Sequence, residues 1–380
     1  MGLKAVRLLS ETIIVLATII MAGVSIYASQ ARFFNPHQHA FISLMALFAI
    51  AVVAINVFLA FYWASKLRAW FFVSLATILL FIPYLSTMIQ ISFKTPPSYD
   101  DKDFSVVSYN VKSFTYKNDY KTSLNYIAFG ISQKQPDIVC FQEFFLGIDA
   151  KLEEIPNRQN ILDSIAHFLG MPYYALGKNG YGVSDLAIFS KFPITKTSSH
   201  IYENTHNGSM SCDINVRGKM IRVINCHLQT TNINQRRGEI AKLKDITRPR
   251  VFAQALQNLY ETMSKNSIRR AAQAAYVNNF TKDPDIPTIV CGDLNETPSS
   301  FVYKQVKGDL ADGFKEAGRG FGATYKKMFG IIRTDYIFNS SDLQCVNYVK
   351  EDLDYSDHIP IFGFYKFKEE NKELTSLIGY

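Results

Sequence analysis

Three apolar stretches within the first 93 residues, at 8–29, 41–64 and 69–93, constrain this chain most. Each approaches the roughly 20 residues that cross a hydrocarbon core as a helix. In lipid, only a helix or a closed barrel satisfies every backbone polar group, so these stretches predict three membrane helices. The first could be read as a signal peptide, with Lys4 and Arg7 before it and Ala28 and Ser29 at its end. Two further spans follow it, which favours an anchor. Few polar groups line the stretches, so an anchor fits better than a channel. Asn56 reads as helix-packing glue and Pro83 as a tolerated kink.

The near-zero mean hydropathy averages this anchor with an ordinary globular chain. The division expected is an anchor over 1–93, a polar linker over 94–103, a globular domain over 104–367 and a polar tail over 368–380. Lys4, Arg7, Lys66 and Arg68 place the N-terminus and the second loop in the cytoplasm by the positive-inside rule. The globular domain is then extracytoplasmic, on a multi-pass protein of a bacterial inner (plasma) membrane. Of five cysteines, Cys140, Cys226 and Cys291 sit in apolar runs as buried hydrophobes, and no disulfide framework is expected.

Within the globular part, apolar runs repeatedly end in polar residues. The clearest is Thr288-Ile289-Val290-Cys291-Gly292-Asp293-Leu294-Asn295. It reads as an interior strand that delivers Asp293 and Asn295 to the same side, because strand side chains alternate. Alone it could be a surface turn. Other apolar runs end alike: 104–111 carries Asn110, and 137–141 leads to Gln142 and Glu143. The run over 220–228 ends at His227, Asp335 lies within 331–338, and Asp357-His358 precedes a terminal strand. Helical patterns cover 120–133 and 155–169, with a glycine-rich loop over 177–182. A long, largely helical interruption fills 231–283. Between Thr231 and Arg270, nine Lys or Arg stand against three acidic residues. That segment is either a solvated helical face or a patch for phosphates on nucleic acid or anionic lipid.

Carboxylates and amide oxygens suit a hard divalent ion such as Mg²⁺, with Mn²⁺ as an alternative, and nothing here resembles a zinc set. Histidines beside carboxylates can remain protonated and stabilise charge developing on phosphorus. Together they point to attack of water on a phosphate ester.

The ordered set Tyr109-Asn110, Gln142-Glu143, Asn225-Cys226-His227-Leu228, Gly292-Asp293-Leu294-Asn295, Thr334-Asp335-Tyr336-Ile337 and Ser356-Asp357-His358 resembles the endonuclease/exonuclease/phosphatase superfamily over about 104–367. The resemblance implies an α/β (α+β) four-layer α-β-β-α sandwich of two mixed sheets. It implies Asn110, Glu143 and Asp357 as metal ligands. Asp293 would orient or deprotonate water, and Asn295 would position the water or the phosphate. Asp335 would hold His358 against the scissile phosphate, and His227 would be a second phosphate-side imidazole. Asp185 is a candidate to orient His227, with capping of the preceding loop as its alternative.

Phe144-Phe145-Leu146 after Glu143 departs from the bacterial abasic-site type, and the Asp335 motif departs from the inositol-phosphate 5-phosphatases. A general phosphodiesterase of the deoxyribonuclease or sphingomyelinase kind is left. The anchor favours a phospholipid or related head group, and the basic segment offers an extracytoplasmic nuclease as the alternative. A phosphomonoesterase and a non-catalytic binding module are the remaining readings. The expected partners are the bilayer and the substrate; no protein partner is implied.

Overall fold

The computed structural model describes residues 2–92, 103–117, 120–144, 158–177, 185–203, 205, 207–231, 236–245, 247–281 and 285–368. The expected linker up to 102, the glycine-rich loop beyond Gly177, residues 155–157 of the second expected helix and the tail beyond Lys368 lie outside them.

The apolar stretches fold as α1 (Leu3–Gln30), α2 (Pro36–Met45), α3 (Ala49–Ser65), α4 (Trp70–Leu79) and α5 (Ile82–Met88). Two helical stretches, Ala5–Phe33 and Pro36–Ser65, are long and apolar enough to cross a membrane, the second with non-helical backbone at His39. The third expected span is instead a pair, α4 and α5, bent by 57°. The break falls just before Pro83, which stands in the first turn of α5. Proline has no N–H to continue the helical ladder, so it starts a helix more readily than it extends one. Asn56 joins all three stretches: its Nδ2 donates to Ser25 Oγ at 2.8 Å, and its Oδ1 accepts from Thr77 Oγ1 at 2.7 Å. Buried away from water, such bonds favour helix association.

The rest of the chain runs β1 (Ile89–Gln90), β2 (Phe104–Asn110), α6 (Tyr120–Ser132), β3 (Ile138–Gln142), α7 (Arg158–Leu169), β4 (Tyr173–Leu176) and β5 (Leu186–Ser190). It continues through β6 (Ile194–Ile201), β7 (Gly208–Val216), β8 (Lys219–His227), α8 (Arg237–Lys242), α9 (Pro249–Phe280), β9 (Thr288–Asp293) and α10 (Phe301–Lys307). The last elements are β10 (Ala311–Asp312), α11 (Gly313–Ala317), β11 (Gly320–Phe321), β12 (Asp335–Asn339), β13 (Leu343–Lys350) and β14 (Ile361–Phe367).

Two six-stranded sheets form, in the orders β13-β14-β2-β3-β5-β4 and β10-β12-β9-β8-β7-β6. Each is mixed, with one parallel pair, β2 with β3 and β8 with β9. Alternation along each strand explains the uninterrupted apolar runs. Val106, Ile138 and Cys140 join Val223, Ile289 and Cys291 in the core between the sheets. Their neighbours Val107, Val139 and Phe141 face α6 and α7, and Ile224 and Val290 face α9 and α10. Strands buried on both faces need no polar alternation. The result is helices, sheet, sheet, helices, the expected four layers.

The apolar helices also touch the sandwich. β1 pairs antiparallel with β11, and Gly322 N donates to Met88 O at 2.7 Å. Arg333 Nη1 donates to Thr87 O at 3.0 Å, and α2 packs along α9. Thr297 Oγ1 and Ser299 Oγ both donate to Ala46 O, at 3.0 and 2.8 Å.

Candidate active site

Strand register lines up the polar strand ends. In the second sheet His227 stands opposite Asp293, and Asp293 opposite Asp335. In the first sheet Asn110 stands opposite Gln142, and Glu143 follows at once. Asn110 spans the gap between the sheets: its Nδ2 donates to Asp293 Oδ2 at 3.0 Å and to Glu143 Oε1 at 3.1 Å. Behind it Gln142 Nε2 donates to Asn225 Oδ1 at 2.7 Å, and Asn225 Nδ2 donates to Phe141 O at 2.8 Å. These amides fix the two sheets relative to each other where the acidic groups meet.

Local backbone geometry aims the side chains. Gly292 has φ of 145°, and a Cβ there would lie 1.8 Å from Cys226 O. Only glycine lets β9 run this close to β8. Glu143 and Asn295 adopt φ of 50° and 51°. This left-handed region costs a non-glycine residue on the order of 1 kcal/mol, and such conformations cluster at functional sites. Asn295 is held there by Asp293, whose Oδ1 accepts its N–H at 2.8 Å, and by donation of Nδ2 to Leu228 O at 3.0 Å.

Two histidine–aspartate pairs face one another. His358 Nδ1 lies 3.0 Å from Asp335 Oδ2, and His227 Nδ1 lies 3.1 Å from Asp185 Oδ2. Their Nε2 atoms lie 3.7 Å from Asp293 Oδ2 and 3.9 Å from Glu143 Oε1. Burial opposes charging of His358, but Asp335 and Asp293 outweigh it and push the imidazole up to about 10. For His227, Asp185 and Glu143 likewise outweigh burial and raise it above its ordinary value. Asp293 is raised by burial and then by Asp335. Burial also raises Glu143, yet His227, Lys112 and Asn110 bring it below the usual carboxylate range.

The remaining acid, Asp357, is 1% exposed, and its buried carboxylate oxygens accept no hydrogen bond. Lys327 Nζ approaches it, at 2.8 Å from Oδ2, as Lys112 Nζ approaches Glu143 Oε2 at 3.2 Å. A buried Asp357 carboxylate that accepts no hydrogen bond, beside a Glu143 carboxylate surrounded by cationic groups, fits a cation site. The donors are carboxylate and amide oxygens, while all five cysteines are free and buried. That set fits a hard divalent ion. Among the described residues Asp293, Asp335 and His358 form a group whose ligand-type atoms lie within 4.8 Å of one another. In that group His358 Nδ1 is already engaged by Asp335.

All eight residues singled out in the sequence thus meet at one edge of the sandwich. The sequence reading missed Lys112, Lys327 and Asn207, whose Nδ2 lies 3.1 Å from His227 Nδ1. Lys112 was readable as a cation two residues after Asn110; Lys327 and Asn207 carry no sequence signal.

The family described as "Endonuclease/Exonuclease/phosphatase family" matches residues 107–358. A second family, described as a domain of unknown function, matches residues 11–88. No curated protein matches the chain in sequence. Among solved structures, an endonuclease/exonuclease/phosphatase from Beutenbergia cavernae superimposes with a TM-score of 0.50 at 15% identity, covering 70% of this chain and 72% of its own. A family protein from Leptotrichia buccalis gives a TM-score of 0.49 at 16% identity, covering 70% of this chain and 100% of its own. The human Nocturnin catalytic domain gives 0.48 at 17%, covering 71% and 97%. At such identities structural likeness speaks to the fold alone. The family match spans about two thirds of the sequence, and on that match the chain belongs to the endonuclease/exonuclease/phosphatase family.

Proposed function

We propose that this protein is a membrane-anchored, divalent-metal-dependent phosphodiesterase that hydrolyses a phospholipid or a related head group. Family enzymes hydrolyse phosphate esters with divalent metals. In this reading Glu143, Asn110 and Asp357 hold the ion, Mg²⁺ in the first instance, which would supply Lewis-acid stabilisation of charge on the phosphate oxygens.

The chain's own groups do the rest. Asp293, raised toward neutrality by burial and Asp335, orients the attacking water and accepts its proton. Asn295, fixed on Asp293 and Leu228 O, positions the water or the phosphate. Asp335 keeps His358 charged with Nε2 turned toward the site, where it donates to a phosphate oxygen. Asp185 does the same for His227.

One observation carries the choice of a lipid. The loop bearing Asp293 and Asn295 ends in Thr297 and Ser299, both hydrogen-bonded to Ala46 in the stretch Pro36–Ser65. Arg333, two residues before Asp335, is bonded to Thr87 in the same apolar bundle. These bonds put the reactive edge beside the helices that would lie in the bilayer, where head groups are concentrated. The domain divisions at 93 and 104 and the extracytoplasmic face of the domain belong to the same reading.

The test of the chemistry is hydrolysis of a small chromogenic phosphodiester by the purified full chain, with Mg²⁺ and with chelator. Activity that needs the metal and falls at least a hundredfold in Glu143→Gln and in His358→Asn supports the reading. Activity indifferent to both substitutions rules it out.

A further inference from the structure

Helices α8 and α9 carry a surface that the chemistry does not use. Arg236, Arg237, Lys242, Lys244, Arg248 and Arg250 are all exposed there, against Glu239, Asp245 and, beside Tyr260, the exposed Glu261. The acids are engaged locally, Glu239 by Lys242 at 2.9 Å, Asp245 by Arg248 at 2.7 Å and Glu261 by Gln257 Nε2 at 2.9 Å. Apolar side chains stand among these cations in water: Ile240 is 36% exposed, Val251 37%, Leu256 53% and Tyr260 40%.

Length and packing say where this surface lies. α9 has 32 residues and so runs about 48 Å. Only its second half, with Ala271, Ala274 and Val277, enters the core beneath the sheet. Arg270, also in that half, is tied to Glu296 at 2.9 Å beside the loop that meets Ala46. α2, the start of the stretch Pro36–Ser65, packs along α9. The first half of α9 buries Ala255 and Leu259 on one face but contributes nothing to that core, so with α8 on its flank it overhangs the sandwich, on a helix that also packs against the apolar bundle.

A helix pair with many cations, few net acids and scattered large apolar groups has the composition of an interfacial segment. Its cations meet anionic head groups, and its apolar side chains enter the boundary with the acyl chains. Nucleic acid would use the charges but would leave Ile240, Val251 and Leu256 in water. We propose that the α8–α9 overhang lies on the surface of an anionic bilayer, with Ile240, Val251, Leu256 and Tyr260 in the head-group–acyl boundary. The proposal rests on the reading that the apolar helices span a membrane, and it needs no catalysis.

The test uses the full chain in lipid nanodiscs. All five native cysteines are buried, so Leu256→Cys can be labelled selectively with an environment-sensitive dye, and exposed Lys366→Cys serves as control. With anionic lipid present, the dye at position 256 should shift to the blue and be quenched by spin-labelled lipid, while the dye at 366 should not. Replacing Arg236, Arg237, Lys244 and Arg250 by Gln should abolish that shift. A water-exposed dye at 256 in every disc overturns the proposal. So does a shift that appears only when single-stranded DNA is added, which would assign the surface to nucleic acid. Because the readout is independent of turnover, lipid hydrolysis with a water-exposed dye would sink this inference alone. A buried dye without hydrolysis would sink the substrate reading alone.

Discussion

The ammonium of Lys112 stands 3.2 Å from Oε2 of Glu143, the carboxylate proposed to hold the metal ion. Burial alone would depress Lys112, but Glu143 and then Asp357 hold it above its ordinary value. An ammonium and a divalent ion cannot share one carboxylate without repulsion. Lys112→Met should therefore tighten Mg²⁺ binding, by about tenfold after allowing for partial exposure of the lysine. Calorimetric titration of the metal-free protein measures this. Weaker binding in the variant would mean that Lys112 supports the ion instead of competing with it.

Together with His227, which is also raised, His358 contributes to the pH response of the metal-free protein. Its folded value of about 10 exceeds the ordinary 6.5 of an unfolded histidine. Folding thus favours the protonated form, and the stabilisation is complete below pH 6.5 and lost as pH rises toward 10. Melting temperature in chelator should fall across that window. Asp335→Asn, which removes the charge facing Nδ1, should flatten the slope; an unchanged slope would assign it to other groups.

The strand ends were legible because each apolar run is buried on both faces and stops at a polar group. Register then does what no single motif shows, setting His227, Asp293 and Asp335 side by side. Among the strands longer than two residues, three were not legible. β6, Ile-Thr-Lys-Thr-Ser-Ser-His-Ile, is a largely exposed edge strand, and β13 is interrupted by a bulge between Cys345 and Asn347. β4 is only half covered. Neither polarity nor alternation marks such segments. Asn56 was readable as a helix-packing residue because an amide in an apolar helix needs partners. The hydrogen bonds from Thr297 and Ser299 to Ala46 were not, since they join positions more than 250 residues apart through ordinary hydroxyls.

Gly292 should tolerate no side chain. A Cβ 1.8 Å from Cys226 O cannot be relieved by a rotamer, because both backbones are locked in a parallel ladder. Gly292→Ala should lower unfolding free energy by several kcal/mol, in the range reserved for core strain. Denaturant titration of the full chain reads this directly, and a midpoint within error of the parent would contradict the packing described.

The ties to the apolar bundle should matter to rate as well as stability. Thr297→Val with Ser299→Ala removes both hydroxyl donors to Ala46 O, which keeps the Ala49 N–H, at a cost of about 1 kcal/mol for each hydrogen bond lost. Asn295 lies two residues away, so kcat on a small soluble diester should fall while KM stays near the parent value. A change confined to stability would make these bonds a tether only.

The most direct test of the account is substrate choice by the full chain reconstituted in phospholipid vesicles, with plasmid DNA and RNA in the same Mg²⁺ buffer. Glu143→Gln is the control. The account predicts release of phosphorylated head groups, seen by phosphorus NMR, lost in Glu143→Gln and in chelator, with the plasmid left supercoiled and the RNA intact. Nicked plasmid or degraded RNA beside untouched lipid would contradict it and make the apolar helices a mooring for a nuclease.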